Sequence, residues 1–314
     1  MYLNHFFPFL LPIASLLITL TASSQIENDI PMVPASVRAY DSLLFSRIPL
    51  VEPGSVRTLK SLPVSVDNSI HPWFAGFTLQ SPYWACLQVS SCTYMFGYEI
   101  NRARGLNGKL PENTYPFLYT WTFFNHGINT GVSSFHSFHL LQNQGAMNRT
   151  DMGPDSLTAY TGWPTGYNKY YDAMKNRIRK VRGIRVDTEE GINLVKNYLN
   201  DHFTGSSSGG LVHFATSCSE YEVLPAGTPE AGHHVVTALS SNSSHGFTTV
   251  GYNDSIRIDL NNDGMYTNNL DINEDGIVDI RDWEIGGFKQ IESYNAYYAD
   301  DGYFYLLYSA IARD

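Results

Sequence analysis

Charge and cysteine are both scarce in this chain. Asp, Glu, Lys and Arg together make up 16% of its 314 residues, and acids outnumber bases to a formal charge of −10. No basic patch offsets that excess, which argues against nucleic acid as a partner. The single basic run, Lys169 to Arg185, reads as a solvated face. Long apolar stretches are missing after the first twenty residues, so no later segment is expected to cross a membrane. With three cysteines, Cys86, Cys92 and Cys218, a disulfide framework is excluded as the basis of the fold. The odd count leaves one thiol unpaired within the chain, and a Cys92–Cys218 bridge remains open.

What is present is a globular composition, 43% hydrophobic and rich in aromatics, with 21 Tyr, 17 Phe and 5 Trp, enough to bury a substantial core. Residues 1–24 read as an export signal: Phe6 to Leu20 is nearly all apolar, and the small residues Ala22, Ser23 and Ser24 precede Gln25. No cysteine follows the run to take a lipid anchor. The expectation is a secreted or periplasmic protein with no membrane contact once the signal is removed. Residues 25–62 are broken by prolines and read as an N-terminal extension or short pro-segment, ahead of one domain over 63–314.

Within that domain, residues 81–101 (SPYWACLQVSSCTYMFGYEIN) form the organising stretch. Val89, Cys92, Phe96, Ile100 and Ala103 recur at three- and four-residue steps, the period of one helix face. Cys86 then falls on the first turn, where aligned N–H groups favour a thiolate. A buried structural cysteine is the bland alternative. Phe135 to Leu141 suggests a short helix, and His136 and His139 on it lack a third ligand for a metal. Asp187 with Glu190 predicts a capped helix carrying Ile192, Val195 and Leu199. After Ser206–Gly210 the text becomes strand-like to the C-terminus. Helices first and strands second indicate an α+β protein with two lobes.

A nucleophilic thiol needs a base, a group to hold that base, and a donor for the oxyanion. The candidates are His245, at the mouth of the strand-like HGFTTVGY; Glu292, at the end of KQIESYN; and Gln80, six residues before Cys86. His233 and His234 are rivals for the base. Gln80, Ala85-Cys86 with the helix behind it, His245 to Tyr252, and Gly302-Tyr303 resemble, in order and spacing, the papain-like cysteine peptidases. VDNS before the cysteine and YEIN after it look like the secreted subgroup of Bacteroidetes-type bacteria. His245 lies on the order of 160 residues beyond Cys86, somewhat more than the roughly 130–150 of that arrangement. The resemblance implies a helical left lobe, a β-barrel right lobe and a cleft between them. It implies Cys86 as nucleophile, His245 as base, Gln80 in the oxyanion hole and a protein or peptide substrate cleaved by a monomer. Two positions depart from the family. Glu292 stands where Asn orients the histidine, and its carboxylate is expected to accept from Nδ1–H. Trp84 stands where a glycine leaves room for substrate. A papain-fold binding or scaffold protein with a degenerate site is the alternative.

One feature lies outside that resemblance. Residues 254–284 carry nine Asp or Glu against two Arg, and spell D-x-N-x-D-G twice. Taking Asp271 as position 1, the loop supplies Asn273, Asp275, the Ile277 carbonyl, Asp279 and Asp282 at positions 3, 5, 7, 9 and 12 of a Ca²⁺ loop. Asp259, Asn261 and Asp263 begin a weaker second loop that ends on Leu270. The expectation is a structural Ca²⁺ that neutralises an inserted hairpin. No cofactor is expected for catalysis.

Overall fold

The computed structural model describes residues 15–16, 43–153, 162–216, 218–240, 245–294 and 300–313. The export signal and the cleavage point before Gln25 lie outside the described residues, apart from Ser15–Leu16. Among the described residues no helix is long and apolar enough to cross a membrane.

The long central helix begins at Cys86. It runs through Cys86–Gln88, a π-helical stretch Val89–Phe96 and Gly97–Arg104, and these together are α1. Gly105, at φ 65°, ends it in a left-handed cap that glycine adopts without strain. The sequence period suggests a helix with one buried face. Instead, every residue from Leu87 to Tyr98 except Met95 is buried, and Ile100 and Ala103 are the ones that reach the surface. Buried hydroxyls explain part of this. Ser91 returns its Oγ to the Leu87 carbonyl at 2.6 Å, and Thr93 donates to the Tyr115 carbonyl at 2.9 Å. Such bonds compete with the regular helical ladder, and π segments occur where that ladder is disturbed.

Around α1 pack the shorter helices α2 (Phe117–Thr122) and α3 (Ser134–Asn143), with α4 (Arg149–Met152) and α5 (Tyr167–Ala173) further out. Their shared core includes Val89, Cys92, Phe96, Trp121 and Leu141. A second core, holding Val195, Phe214, Val236, Phe288 and Leu306, fills the strand-rich half. Two cores in one chain make the two lobes, and the α+β class expected from the sequence is what the structure has.

Strand β1 (Ser15–Leu16) pairs with β3 (Ile184–Arg185). The main sheet contains β2 (Ser65–Asp67), β4 (Val212–Thr216), β5 (Cys218–Val223), β6 (His234–Leu239), β7 (His245–Arg257), β8 (Ile285–Ile291) and β9 (Tyr303–Leu307). It runs β7–β8–β9–β6–β5, with β4 on the near part of β7 and β2 on its far part. Since β4 ends one residue before β5 begins, its pairing with β7 closes the strands into a barrel. Helix α6 (Glu189–Asp201) covers one side, and the short α7 (Tyr308–Ala312) follows β9. The N-cap of α6 is Thr188, which accepts from the Gly191 N–H, and not Asp187 as the capping pattern suggests.

Cys92 and Cys218 belong to different cores, and all three cysteines are free thiols, so the disulfide left open by the sequence is not formed. The described part of the N-terminal extension straps the barrel side. Val51 N–H donates to Gly183, Leu59 N–H to Asn197, and Arg57 pairs with Asp201 on α6.

Candidate active site

Strand register and one glycine bring the sequence candidates together. His245 opens β7 opposite Thr216, and Thr248 pairs with Ile291, so the residue after β8, Glu292, lies beside the start of β7. The next residue, Gly246, meets the first turn of α1 directly. A Cβ built there would lie 2.8 Å from the Cys86 carbonyl carbon and 2.8 Å from the Leu87 Cα. Only a residue without a side chain lets the barrel strand approach the helix start this closely. The approach is reinforced one turn deeper, where Ser90 meets the Phe247 carbonyl, Thr248 Oγ1 at 2.7 Å and His213 Nδ1 at 2.7 Å.

No side chain caps the N-terminus of α1, since Ala85 is the N-cap residue; the Gln88 N–H returns to the Ala85 carbonyl at 3.0 Å, and the Leu87 N–H faces the Cys86 thiol. Cys86 is half-buried. Burial pushes its thiol up, but the charge of His245 and its contact with the sulfur, joined by the Gly246 and Leu87 N–H groups, outweigh burial and hold the thiol below its ordinary value. Burial acts on His245 in the opposite sense, towards neutrality. The Cys86 thiolate first and Glu292 second overcome it and raise the imidazole to about 10. Each partner is therefore stabilised in its charged form by the other. Cys92 and Cys218 lack such a partner, and burial pushes both up to about 12.

Glu292 is buried and faces the histidine from the other side. Its Oε2 lies 3.6 Å from His245 Nε2, an ion-pair distance too long for a hydrogen bond, and also accepts the Tyr294 N–H at 3.1 Å. The expected contact with Nδ1 is corrected: Nε2 faces Glu292, while Nδ1 is buried with no partner at ordinary hydrogen-bond geometry. The longer Glu side chain reaches the ring nitrogen furthest from the strand backbone. Tyr294, two residues after Glu292, is exposed.

Gln80 is buried and held at both ends. Its Oε1 accepts from Ser293 Oγ at 2.7 Å, its backbone N–H donates to the Ser293 carbonyl at 2.7 Å, and its Nε2 donates to the Tyr83 carbonyl at 3.1 Å. One N–H of the carboxamide remains for another acceptor. Trp84 is 37% exposed, and its backbone N–H is tied to Asn129 Oδ1 at 2.9 Å. Asn129 also donates to the Pro82 carbonyl, so it clamps the loop leading into Cys86. Asn129 carries no sequence signal of this role.

The rival histidines are engaged elsewhere. His233 Nδ1 lies 2.9 Å from Asp300, and the His234 backbone N–H donates to the same carboxylate. His136 stacks on Phe124 with ring centroids 4.5 Å apart, and His139 lies beside Asn143.

In the acidic hairpin, β7 continues to Arg257, so the first four residues of 254–284 belong to the strand. Both loops are wound alike. Asp271 accepts the Asp275 and Gly276 N–H groups, Asn273 accepts that of Asp275, and Asp275 accepts that of Ile277. Asp259, Asn261 and Asp263 repeat this around Gly264 and Met265. Asp282, fully buried, accepts from Ile272, Asn273 and Asp279. Glu284, also fully buried, takes the equivalent place in the first loop by accepting from Leu260 and Thr267. Leu270 is thus not the end of that loop; its closing carboxylate comes from beyond the second loop, a pairing that linear spacing hides. The oxygen donors suit a hard cation, with one competitor: Arg281 pairs with Asp275 and Asp279, each at 2.7 Å. Among the described residues no three His, Cys, Asp or Glu side chains converge as a metal cluster.

No family model matches the chain, and no curated protein is similar to it. Several solved structures are similar in fold. Xylellain, a cysteine protease from Xylella fastidiosa, is 15% identical, with 84% of this chain and 90% of that chain covered and a TM-score of 0.48. The bromelain protease of Ananas comosus, solved with the E64 inhibitor, is 14% identical over 78% and 90% of the two chains, with a TM-score of 0.41. A digestive procathepsin L 3 of Tenebrio molitor larval midgut is 11% identical over 85% and 73%, with a TM-score of 0.43.

Proposed function

We propose that the chain is a papain-like cysteine peptidase that hydrolyses peptide bonds through Cys86 and His245. The carrying observation is the pair itself: the thiol of half-buried Cys86 on the first turn of α1, held below its ordinary value beside an imidazole raised to about 10. A second thiol with those properties does not occur among the three. The chemistry that fits is acyl transfer.

The Cys86 thiolate attacks the peptide carbonyl carbon, forming a C–S bond while the carbonyl electron pair moves to oxygen. The Cys86 backbone N–H and the free N–H of Gln80 are the donors suited to that oxyanion. As the oxyanion collapses the C–N bond breaks, and imidazolium His245 gives its proton to the leaving amine. Neutral His245 then takes a proton from water, whose oxygen attacks the thioester. The acid leaves, and the thiolate–imidazolium pair is restored. Glu292, at ion-pair distance, favours imidazolium and so supports the resting pair. Ser293 keeps the Gln80 carboxamide turned so that its nitrogen, and not its oxygen, is available.

Protein or peptide is the substrate class of this reading. Export to a secreted or periplasmic location, the domain bounds 1–24, 25–62 and 63–314, and a monomeric state belong to the same proposal. So does structural Ca²⁺, held by the Asp271 and Asp259 loops with Asp282 and Glu284 closing them. Incubating native protein with E-64 and mapping the adduct tests the peptidase reading. Labelling at Cys86 alone is expected. If E-64 does not label Cys86, and iodoacetamide reacts there no faster than at Cys92, the scaffold reading with a degenerate site replaces it.

A further inference from the structure

Along α1 beyond Cys86, a cavity of about 540 Å³ lies between the helical lobe and Tyr198, Phe203 and Val212 of the strand-rich half. That lies inside the roughly 300–1,000 Å³ of small-molecule sites. Its body is apolar: Met95 and Ile100 of α1, Phe138 and Leu141 of α3, and Ile178 and Val181 from the segment before β3. The few polar groups on the wall are already satisfied. Ser91 donates to the Leu87 carbonyl, and Glu99 is shared by His202 at 2.8 Å, Tyr198 at 3.2 Å and Arg102 at 3.4 Å. The interior therefore asks nothing polar of a ligand.

The mouth is different. Arg177, Arg179, Lys180 and Arg182 all border the cavity and are all exposed, and none has an ion-pair partner among the described residues. Ile178 and Val181, between them, pack inward against Phe138. The segment thus turns its apolar residues into the cavity and its cations around the opening, in a chain whose net charge is −10. A solvated basic face explains the cations but not the cavity beneath them.

We propose that this cavity binds an amphipathic anion, a long-chain carboxylate with its alkyl chain in the apolar body and its head group at the four cations. A neutral lipid would gain nothing from the rim. An inorganic anion would gain nothing from the body. The site does not depend on the peptidase reading, since none of the residues forming it belongs to the Cys86 site.

Hexadecanoate and hexadecanol, each titrated into the full-length protein with bound ligand counted by native mass spectrometry, test the proposal. One equivalent of hexadecanoate is expected to bind. The double variant Arg179→Glu/Lys180→Glu should weaken hexadecanoate by about tenfold or more, and hexadecanol by less than about twofold, because only the carboxylate feels the reversed rim. Ala103→Trp, at an exposed position on the mouth, should abolish binding of both ligands. A cooperative thermal melt close to the parent's serves as the folding control for both variants. The proposal is overturned if full-length protein binds no stoichiometric hexadecanoate. It is also overturned if neither variant changes binding, or if charge reversal affects the acid and the alcohol alike.

Discussion

Gly246→Ala adds a single methyl group at the contact that assembles the site. The new Cβ would sit 2.8 Å from the carbonyl carbon and oxygen of Cys86 and from the Leu87 Cα. All three are backbone atoms, so no side-chain rotation relieves the overlap. Ordinary contact needs roughly 0.6 Å more, so β7 and the first turn of α1 must separate by about that much, at a typical overpacking cost of ~1–3 kcal/mol. The same displacement moves His245, one residue earlier, away from the sulfur and withdraws the Gly246 N–H. A misplacement approaching 1 Å can cost on the order of 10²-fold in rate. The thiol then reverts towards the behaviour of a buried cysteine. The assay is pseudo-first-order alkylation of Cys86 by iodoacetamide at pH 6, followed by peptide mapping, with a thermal melt of the same samples. The variant should alkylate at least about tenfold more slowly and melt several degrees lower, since ~1 kcal/mol shifts a domain of this size by roughly 2–4 °C. Alkylation within twofold of the parent, with an unchanged melting temperature, would refute the claim that this contact builds the ion pair.

Three further outcomes follow from the structure. The pH profile of Cys86 alkylation should rise at lower pH than that of an ordinary thiol, while Cys92 and Cys218, pushed up to about 12, stay unreactive; coincident profiles for the three would remove the ion pair. Glu284→Ala strips the acceptor from the Leu260 and Thr267 N–H groups and should cost about 2–4 kcal/mol, with new proteolytic cuts in 258–284; EGTA should lower the parent's melting temperature and leave the variant's nearly unmoved if the first loop holds the ion. His213 is fully buried, and burial lowers its imidazole to about 3. Its folded value lies below the unfolded one, so the stability it contributes is complete above about 6.5 and is lost as the pH falls towards 3, at up to ~1.4 kcal/mol per pH unit. Denaturant midpoints measured at pH 7, 5 and 4 should show a shallower decline in His213→Gln, and parallel declines would count against the role of His213.

The residues that the structure gathers at the candidate site were legible because each stands at a marked point of the text. Cys86 opens a helix, His245 opens a strand, Glu292 follows one, and Gln80 precedes the cysteine loop. The two-lobed α+β class was legible from the change of pattern at Ser206–Gly210. The helix cap was misjudged by one residue because Thr188 and Asp187 are both competent caps, and the chain direction into α6 decides between them. Asn129 gave no signal, because its clamp on Pro82 and Trp84 joins segments about 45 residues apart.

What the sequence by itself determined is local: which residues can be nucleophile, base and oxyanion donor, which segments are helix or strand, and which loops wind around Asp-x-Asn-x-Asp-Gly. These follow from side-chain chemistry and short-range periodicity. The tertiary structure decided the rest. It buried α1 on nearly every side from Leu87 to Tyr98, where the helix lies between the two lobes, and left Ile100 and Ala103 to reach the surface. It chose Nε2 over Nδ1 for Glu292, since ring orientation depends on the register of β7 and β8. It closed the first acidic loop with Glu284, which only folding brings to residue 260. And it put the thiol and the imidazole in contact, because Gly246 leaves no side chain to hold the lobes apart.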